Sequence, residues 1–170
     1  MLNRRDLGLA SIGLAAAAAG LRAAPAHANE DAMTATTDTK FEVTKTPEEW
    51  RKILSPAAYK VLREEGTERA GSSQLDHNYE PGIYDCAGCD LPLFSSETKF
   101  NSGTGWPSFY APLANAVGET TDSSFFMTRT EVHCRRCGGH LGHVFNDGPK
   151  PTGLRYCMNG VSLKFVPKAA

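Results

Sequence analysis

Three textures follow one another along the chain. Residues 7–21 are mostly apolar or small and carry no charge. Between Thr46 and Gly66 apolar positions recur at helical spacing. Beyond Gly66 they break into short runs divided by Gly, Pro, Asn and Asp. The middle texture opens on Thr46-Pro47-Glu48-Glu49, a capping box. There the Thr hydroxyl accepts from the Glu49 amide and the Glu49 carboxylate returns to the Thr46 amide. Pro at the first helical position loses nothing, because that amide has no helical partner. Trp50, Ile53 and Leu54 follow at helical spacing, and Ser55-Pro56 repeats the start signal. A second helix is predicted to about Glu65, with Tyr59 and Leu62 on one side and Gly66 as its stop. The third texture predicts short strands at 83–86, 91–94, 124–130 with 132–134, 143–145, 155–158 and 161–166, with Pro107 and Pro112 marking loops or edges. The expected architecture is one or two small helices leading into a mostly antiparallel β domain.

The first texture reads as an address. Arg4-Arg5 precede the apolar run, and Ala26-His27-Ala28 offers small residues either side of a spacer, the layout of a cleaved secretory signal. The run covers 15 residues, short of the roughly 20 that a spanning helix requires. The paired arginines suggest the twin-arginine route, although Asn3 and Leu7 depart from its commonest pattern, and a Sec signal or a retained anchor are the alternatives. The expected organisation is a signal peptide at 1–28, a flexible Thr/Asp/Ala-rich tether at 29–44 and a functional domain at 45–168. The product is expected in the periplasm, with no stable membrane anchor after cleavage.

Charge and composition narrow the function. The whole chain has 170 residues, a formal net charge of −1, 41% hydrophobic and 22% charged residues. That is an ordinary globular composition without the basic face of a nucleic-acid binder. Removing Arg4, Arg5, Asp6 and Arg22 with the leader leaves 15 basic and 18 acidic side chains. The resulting net charge is compatible with the monomer we expect.

Five cysteines are an odd number, so they cannot all pair within one chain. Cys86-Ala87-Gly88-Cys89 and Cys134-Arg135-Arg136-Cys137 are both C-x-x-C. Two residues between ligands let one turn aim both sulfurs at a single ion, with Gly88 and Gly138 allowing a tight backbone. Two such knuckles complete a closed, structural zinc site. Two disulfides in an oxidising compartment are the alternative. A thioredoxin-like pair would need a βαβ pattern, which is missing. Cys157 lies in Arg155-Tyr156-Cys157-Met158-Asn159, where strand alternation puts Arg155, Cys157 and Asn159 on one face. A cation beside the sulfur favours thiolate, but spacing alone does not separate a nucleophile from an inert buried cysteine. His140 and His143 lie three apart, each after a Gly, which disfavours a helix, and the two rings need not converge. They are candidates for acid work or for hydrogen bonding to a substrate oxygen, or are ordinary loop histidines. Gly103-Thr104-Gly105-Trp106-Pro107-Ser108-Phe109 sets two aromatics on a Gly-rich loop, and Asp147-Gly148-Pro149 is first of all a turn signal.

Together the stretches GTER at 66–69, PGIYDCAGCDLPLFSSETKFNSGTGWPSF at 81–109 and HCRRCGGHLGHVFNDGPKPTGLRYCMNGVSLKF at 133–165 closely resemble the peptide-methionine (R)-S-oxide reductases, the MsrB family. The resemblance implies a mainly β fold, α+β at its edges, in which two antiparallel sheets form a rolled domain with short N-terminal helices and a four-cysteine zinc clamp. It implies that Cys157 is the nucleophile and that His143, with His140 and Asn159, supplies donors to the sulfoxide oxygen. It implies that Arg155 supports the thiolate and that Trp106, Phe109 and Asp147 serve substrate binding. One structural Zn²⁺ on Cys86, Cys89, Cys134 and Cys137 is the implied cofactor. Proteins containing methionine (R)-sulfoxide and a thioredoxin-like reductant are the implied partners. Many members of the family carry a resolving cysteine where this chain has Thr104, so an external thiol is expected to resolve the sulfenic acid. Against this stand two other readings, a zinc-ribbon-like binding module and a periplasmic thiol-disulfide oxidoreductase. The fifth cysteine argues against the first, and the second needs a metal-free vicinal pair.

Overall fold

The computed structural model describes residues 41–123 and 128–169. The leader at 1–28, the tether at 29–40 and the part of the expected strand at 124–127 lie outside the described residues. Among the described residues no helix is long and apolar enough to cross a membrane.

The capping box forms as the sequence predicts. Thr46 Oγ1 accepts from the Glu49 amide at 3.2 Å and the Glu49 carboxylate accepts from the Thr46 amide at 2.8 Å, opening α1, Pro47–Ile53. Ser55 caps α2, Pro56–Glu64. The left-handed residue that ends α2 is Glu65, at φ 53°, and not Gly66. Trp50 and Leu62 carry the helices onto the core. The packed chain begins before 45. Val43 donates its amide to the Arg136 carbonyl at 3.0 Å, and the Phe41 ring meets His133 edge-on. Residues 41–44, read as tether, therefore belong to the domain.

Nine strands follow among the described residues: β1 Gly82–Cys86, β2 Pro92–Ser95, β3 Lys99–Phe100, β4 Ser108–Phe109, β5 Val117–Asp122, β6 Arg129–Cys134, β7 His140–Phe145, β8 Arg155–Met158 and β9 Leu163–Pro167. They build a three-stranded sheet, β2-β1-β9, and a six-stranded sheet, β3-β4-β8-β7-β6-β5. Every pairing is antiparallel. The sequence pattern missed β3 and β4, which are too short to show alternation, and β5, which has no buried residue. The strand expected from 161 starts at Leu163, because Gly160–Ser162 is a 3₁₀ turn.

Aromatic rings fill the space between the sheets. Phe94 and Phe109 stack with centroids 4.4 Å apart, and Tyr84 meets Phe109 at 5.0 Å. Phe109 is completely buried there. This corrects its reading as a substrate-binding residue: on β4 it pairs with Tyr156 on the core side, while its neighbour Ser108 pairs with Cys157 on the other face.

A bulge in β7 decides the rest. Val132 lies opposite Gly142, and the next residue, His133, lies opposite His140, so β7 spends an extra residue there. His140 and His143, three apart in a strand, would otherwise point to opposite faces. The bulge brings both to one face, with ring centroids 5.4 Å apart. Gly142 is required at this point, since a Cβ would collide with the Cys157 carbonyl. Gly142→Ala should lower unfolding stability by about 2 kcal/mol or more, an overpacking cost within a paired sheet, as urea titration followed by circular dichroism can measure.

Candidate active site

One row of cross-strand neighbours runs over the open face of the larger sheet: Ser108, Cys157, His143, Glu131 and Thr120. Directly opposed residues in an antiparallel sheet share a face, so sheet register alone sets the cysteine beside the histidine. Cys157, His143, Asn159, Trp106, Phe145 and Arg129 help line a pocket of about 140 Å³. A second cavity of about 500 Å³ shares His143 and Arg129 with it and adds His140 and Glu131. His140 thus borders the neighbouring cavity and does not line the small pocket itself.

Each histidine is held by a carboxylate. His140 Nδ1 lies 2.8 Å from Glu131 Oε1 and His143 Nε2 lies 2.9 Å from Asp122 Oδ2. The bond from His140 holds the Glu131 carboxyl below its usual range. An ionised carboxylate only accepts, so the proton of His140 sits on Nδ1 and that of neutral His143 on Nε2. Burial pushes the His143 imidazolium down, against the pull of Asp122, so at neutral pH the ring is uncharged and its Nδ1 carries a lone pair. The buried Nε2 of His140 has no hydrogen-bond partner among the described residues. Asp122 also pairs with Arg129 at 2.7 Å.

A chain of three hydroxyls ends at the Cys157 sulfur. Thr104 Oγ1 is 3.8 Å from Sγ, Ser102 Oγ is 2.8 Å from Thr104 Oγ1, and Ser102 and Ser108 are 2.7 Å apart. Ser108 donates to the Trp106 carbonyl at 3.1 Å. Because Ser108 gives its proton to that carbonyl, Ser102 donates to Ser108 and Thr104 donates to Ser102, which leaves Thr104 Oγ1 as an acceptor for a Cys157 thiol; the Thr104 proton reaches a Cys157 thiolate only when the bond to Ser102 is given up. Arg155 shares the face of Cys157, as alternation predicts. Its guanidinium lies over the Phe145 ring at 4.4 Å and forms two 2.8 Å bonds to Asp147. The Asp147 side chain is 63% exposed and stands outside the pocket. There it holds Arg155. The expected lowering by Arg155 acts in the stated direction but does not prevail. Burial pushes the Cys157 thiol up, against Thr104, Arg155 and Ser108 together.

Asn159 is buried, and its side chain is engaged with the backbone. Nδ2 donates to the Leu141 carbonyl at 3.0 Å and Oδ1 accepts from the Glu68 amide at 2.9 Å. Trp106 Nε1 donates to the Glu68 carbonyl at 3.2 Å. Sequence reasoning singled out none of Ser108, Glu131, Asp122 or Glu68. Glu68 and Ser108 fall inside stretches that carry the family resemblance, but their partners, like those of Glu131 and Asp122, are set by strand register and by contact between distant segments.

The other four cysteines stand together, away from this pocket. Their ligand atoms all lie within 4.8 Å of one another, with Cys86 to Cys137 at 3.7 Å and Cys89 to Cys134 at 3.5 Å. Sulfurs bound tetrahedrally at about 2.3 Å from zinc are about 3.8 Å apart, so the four can hold one such ion with no position left open. The knuckles are matching turns: the Asp90 amide bonds to the Cys86 carbonyl at 2.9 Å, and the Gly138 amide to the Cys134 carbonyl at 2.8 Å. The left-handed positions are Asp90 and Gly138. Gly138 acts as expected, whereas in the first knuckle the turn falls on Asp90 and not on Gly88.

A closed four-cysteine clamp joining the ends of two sheets, with a fifth thiol alone in a pocket lined by tryptophan and histidine, defines a thiol-based enzyme on a mainly β scaffold. A family model for the SelR domain matches residues 54–167. The peptide methionine sulfoxide reductase MsrB of Leptospira interrogans is 56% identical over 126 residues, covering 74% of this chain and 96% of that protein. The MsrB of Methanosarcina barkeri is 59% identical over 124 residues, covering 72% and 87%. That of Bradyrhizobium diazoefficiens is 55% identical over 139 residues, covering 81% and 99%. The chain therefore belongs to the MsrB family of peptide methionine sulfoxide reductases. With burial opposing ionisation of Cys157, its alkylation by iodoacetamide should accelerate with pH through and beyond the ordinary thiol value of 9.0. Arg155→Met should slow it at every pH below that midpoint, as stopped-time mass spectrometry can follow.

Proposed function

We propose that the protein reduces peptide-bound methionine (R)-sulfoxide through Cys157, and that an external thiol restores the enzyme. The observation that carries this reading is the isolation of Cys157. Among five cysteines it alone is outside the clamp, and it opens into the small pocket beside Trp106 and His143.

The Cys157 thiolate attacks the sulfoxide sulfur. As the S–O bond breaks the oxygen must be protonated, and a proton delivered there is general acid catalysis. Neutral His143 has its N–H committed to Asp122, so it acts by orienting a water whose hydrogen faces the oxygen, with His140 beside it. The S-methyl group packs on the indole of Trp106. Asn159 holds the end of β8, and Arg155, fixed by Asp147, supports the anionic sulfur. The protonated oxygen leaves as water, which gives a Cys157–methionine sulfonium. A water then attacks the Cys157 sulfur, the S–S bond breaks with its electron pair going to methionine, a proton is released, and Cys157 is left as a sulfenic acid. A thiol then attacks that sulfur, releasing water and forming a mixed disulfide, and a second thiol frees Cys157. A thioredoxin-like protein suits both steps, because Thr104 stands where many relatives carry a resolving cysteine. Zinc on Cys86, Cys89, Cys134 and Cys137 would tie β1 to β6 and take no part in the reaction. Arg4-Arg5, the apolar run and Ala26-His27-Ala28 support export by the twin-arginine route, which carries folded and metal-loaded proteins. The clients are then oxidised exported proteins, met by a monomeric enzyme in the periplasm.

Cys157→Ser should abolish reduction of (R)-sulfoxide peptides while retaining the metal; undiminished turnover in that variant would refute the assignment. Elemental analysis should give about one zinc per chain. A strong chelator should lower the melting temperature, since metal binding and folding are linked.

A further inference from the structure

Glu68 lies in the segment that leaves α2 and has no step in the reaction above. It is half-buried, yet four of its polar atoms are committed to distant segments. Its Oε1 accepts from the Gly160 amide at 2.5 Å and its Oε2 from the Val161 amide at 3.2 Å. Its own amide donates to Asn159 Oδ1 at 2.9 Å, and its carbonyl accepts from Trp106 Nε1 at 3.2 Å. Asn159 and Trp106 both line the small pocket, and the adjacent Thr67 lines it too. The contact with the Gly160 turn is close, since a Cβ on Gly160 would run into Ser73 and approach the Glu68 carboxylate.

A carboxylate bridging two consecutive amides makes charge-assisted bonds and fixes their orientation as well as their distance. Here the two amides begin the turn that follows β8, the strand of Cys157. The same residue holds the edge of the indole by its carbonyl and the Asn159 amide by its N–H. One residue therefore couples two walls of the pocket to each other.

Discrimination between sulfoxide epimers has a simple geometric demand. With the sulfur placed for attack by Cys157, exchanging the epimer exchanges the directions of oxygen and methyl. The pocket can refuse that exchange only if its apolar wall and its polar wall keep fixed positions. We propose that Glu68 is a positioning residue for the reaction, which holds Trp106 and Asn159 in the relative placement that favours the (R)-epimer. The inference rests on the roles proposed for Cys157 and Trp106.

The test uses the full mature, metal-loaded chain labelled with 5-fluorotryptophan. Its two tryptophans, Trp50 and Trp106, give separate ¹⁹F signals. Glu68→Ala should raise KM for an (R)-sulfoxide peptide about tenfold, equivalent to about 1.4 kcal/mol, with a smaller change in kcat. It should narrow the preference for (R) over (S) and shift or broaden the Trp106 signal, leaving that of Trp50 in place. Glu68→Gln keeps one acceptor oxygen and should fall between, and it carries the same readouts if the alanine variant does not fold. Unchanged KM and epimer preference would overturn the inference. So would a lower melting temperature with unaltered kinetic constants, because Glu68 would then be only a structural tie. A Cys157→Ser enzyme that remained active would instead strike the catalytic reading, and the Trp106 signal in Glu68→Ala would still report on the coupling of the walls.

Discussion

The arrangement depends on the register of β8 between β4 and β7. Cys157 is opposite Ser108 on one side and His143 on the other, and a slip of one residue would turn its side chain into the aromatic core. That core opposes such a slip. Tyr156 and Met158, the alternate residues of β8, are buried, and exposing them would remove large apolar surfaces from their packing. The hydrophobic effect thus places the Cys157 side chain on the face opposite the core.

The bulge in β7 adds what regular pairing cannot supply. It turns two histidines three residues apart onto one face and lets each meet its own carboxylate. The two carboxylates come from β5 and β6, so the donor side of the pocket is assembled from strands that are neighbours in space through sheet order. The four-cysteine clamp sits at the other end of β6 and joins it to β1. An ion held there would limit movement between the two sheets and would engage four thiols.

Burial and charge oppose one another at the reactive sulfur. A guanidinium and hydroxyls favour the thiolate, but loss of solvent outweighs them in the empty pocket. Such a balance raises the Cys157 thiol above its ordinary range and disfavours the thiolate. Asp147, at the exposed rim, fixes the Arg155 guanidinium by two hydrogen bonds.

Much of this was legible in sequence, where the signal is local. The capping box, both C-x-x-C knuckles, the alternation that puts Arg155 with Cys157 and the predominance of short antiparallel strands all rest on neighbours a few residues apart. The family follows from the same local motifs. Other features were decided by tertiary structure alone. Phe109 belongs to the core because β4 pairs with β8 in one register. Asp147 holds Arg155 at the rim because the loop after β7 folds back. His140 and His143 converge because β7 bulges. Glu68 reaches partners about ninety residues away. Each of these is a relation between segments distant in the chain, fixed by burial and hydrogen bonding once the sheets have formed, and no spacing along the chain encodes it.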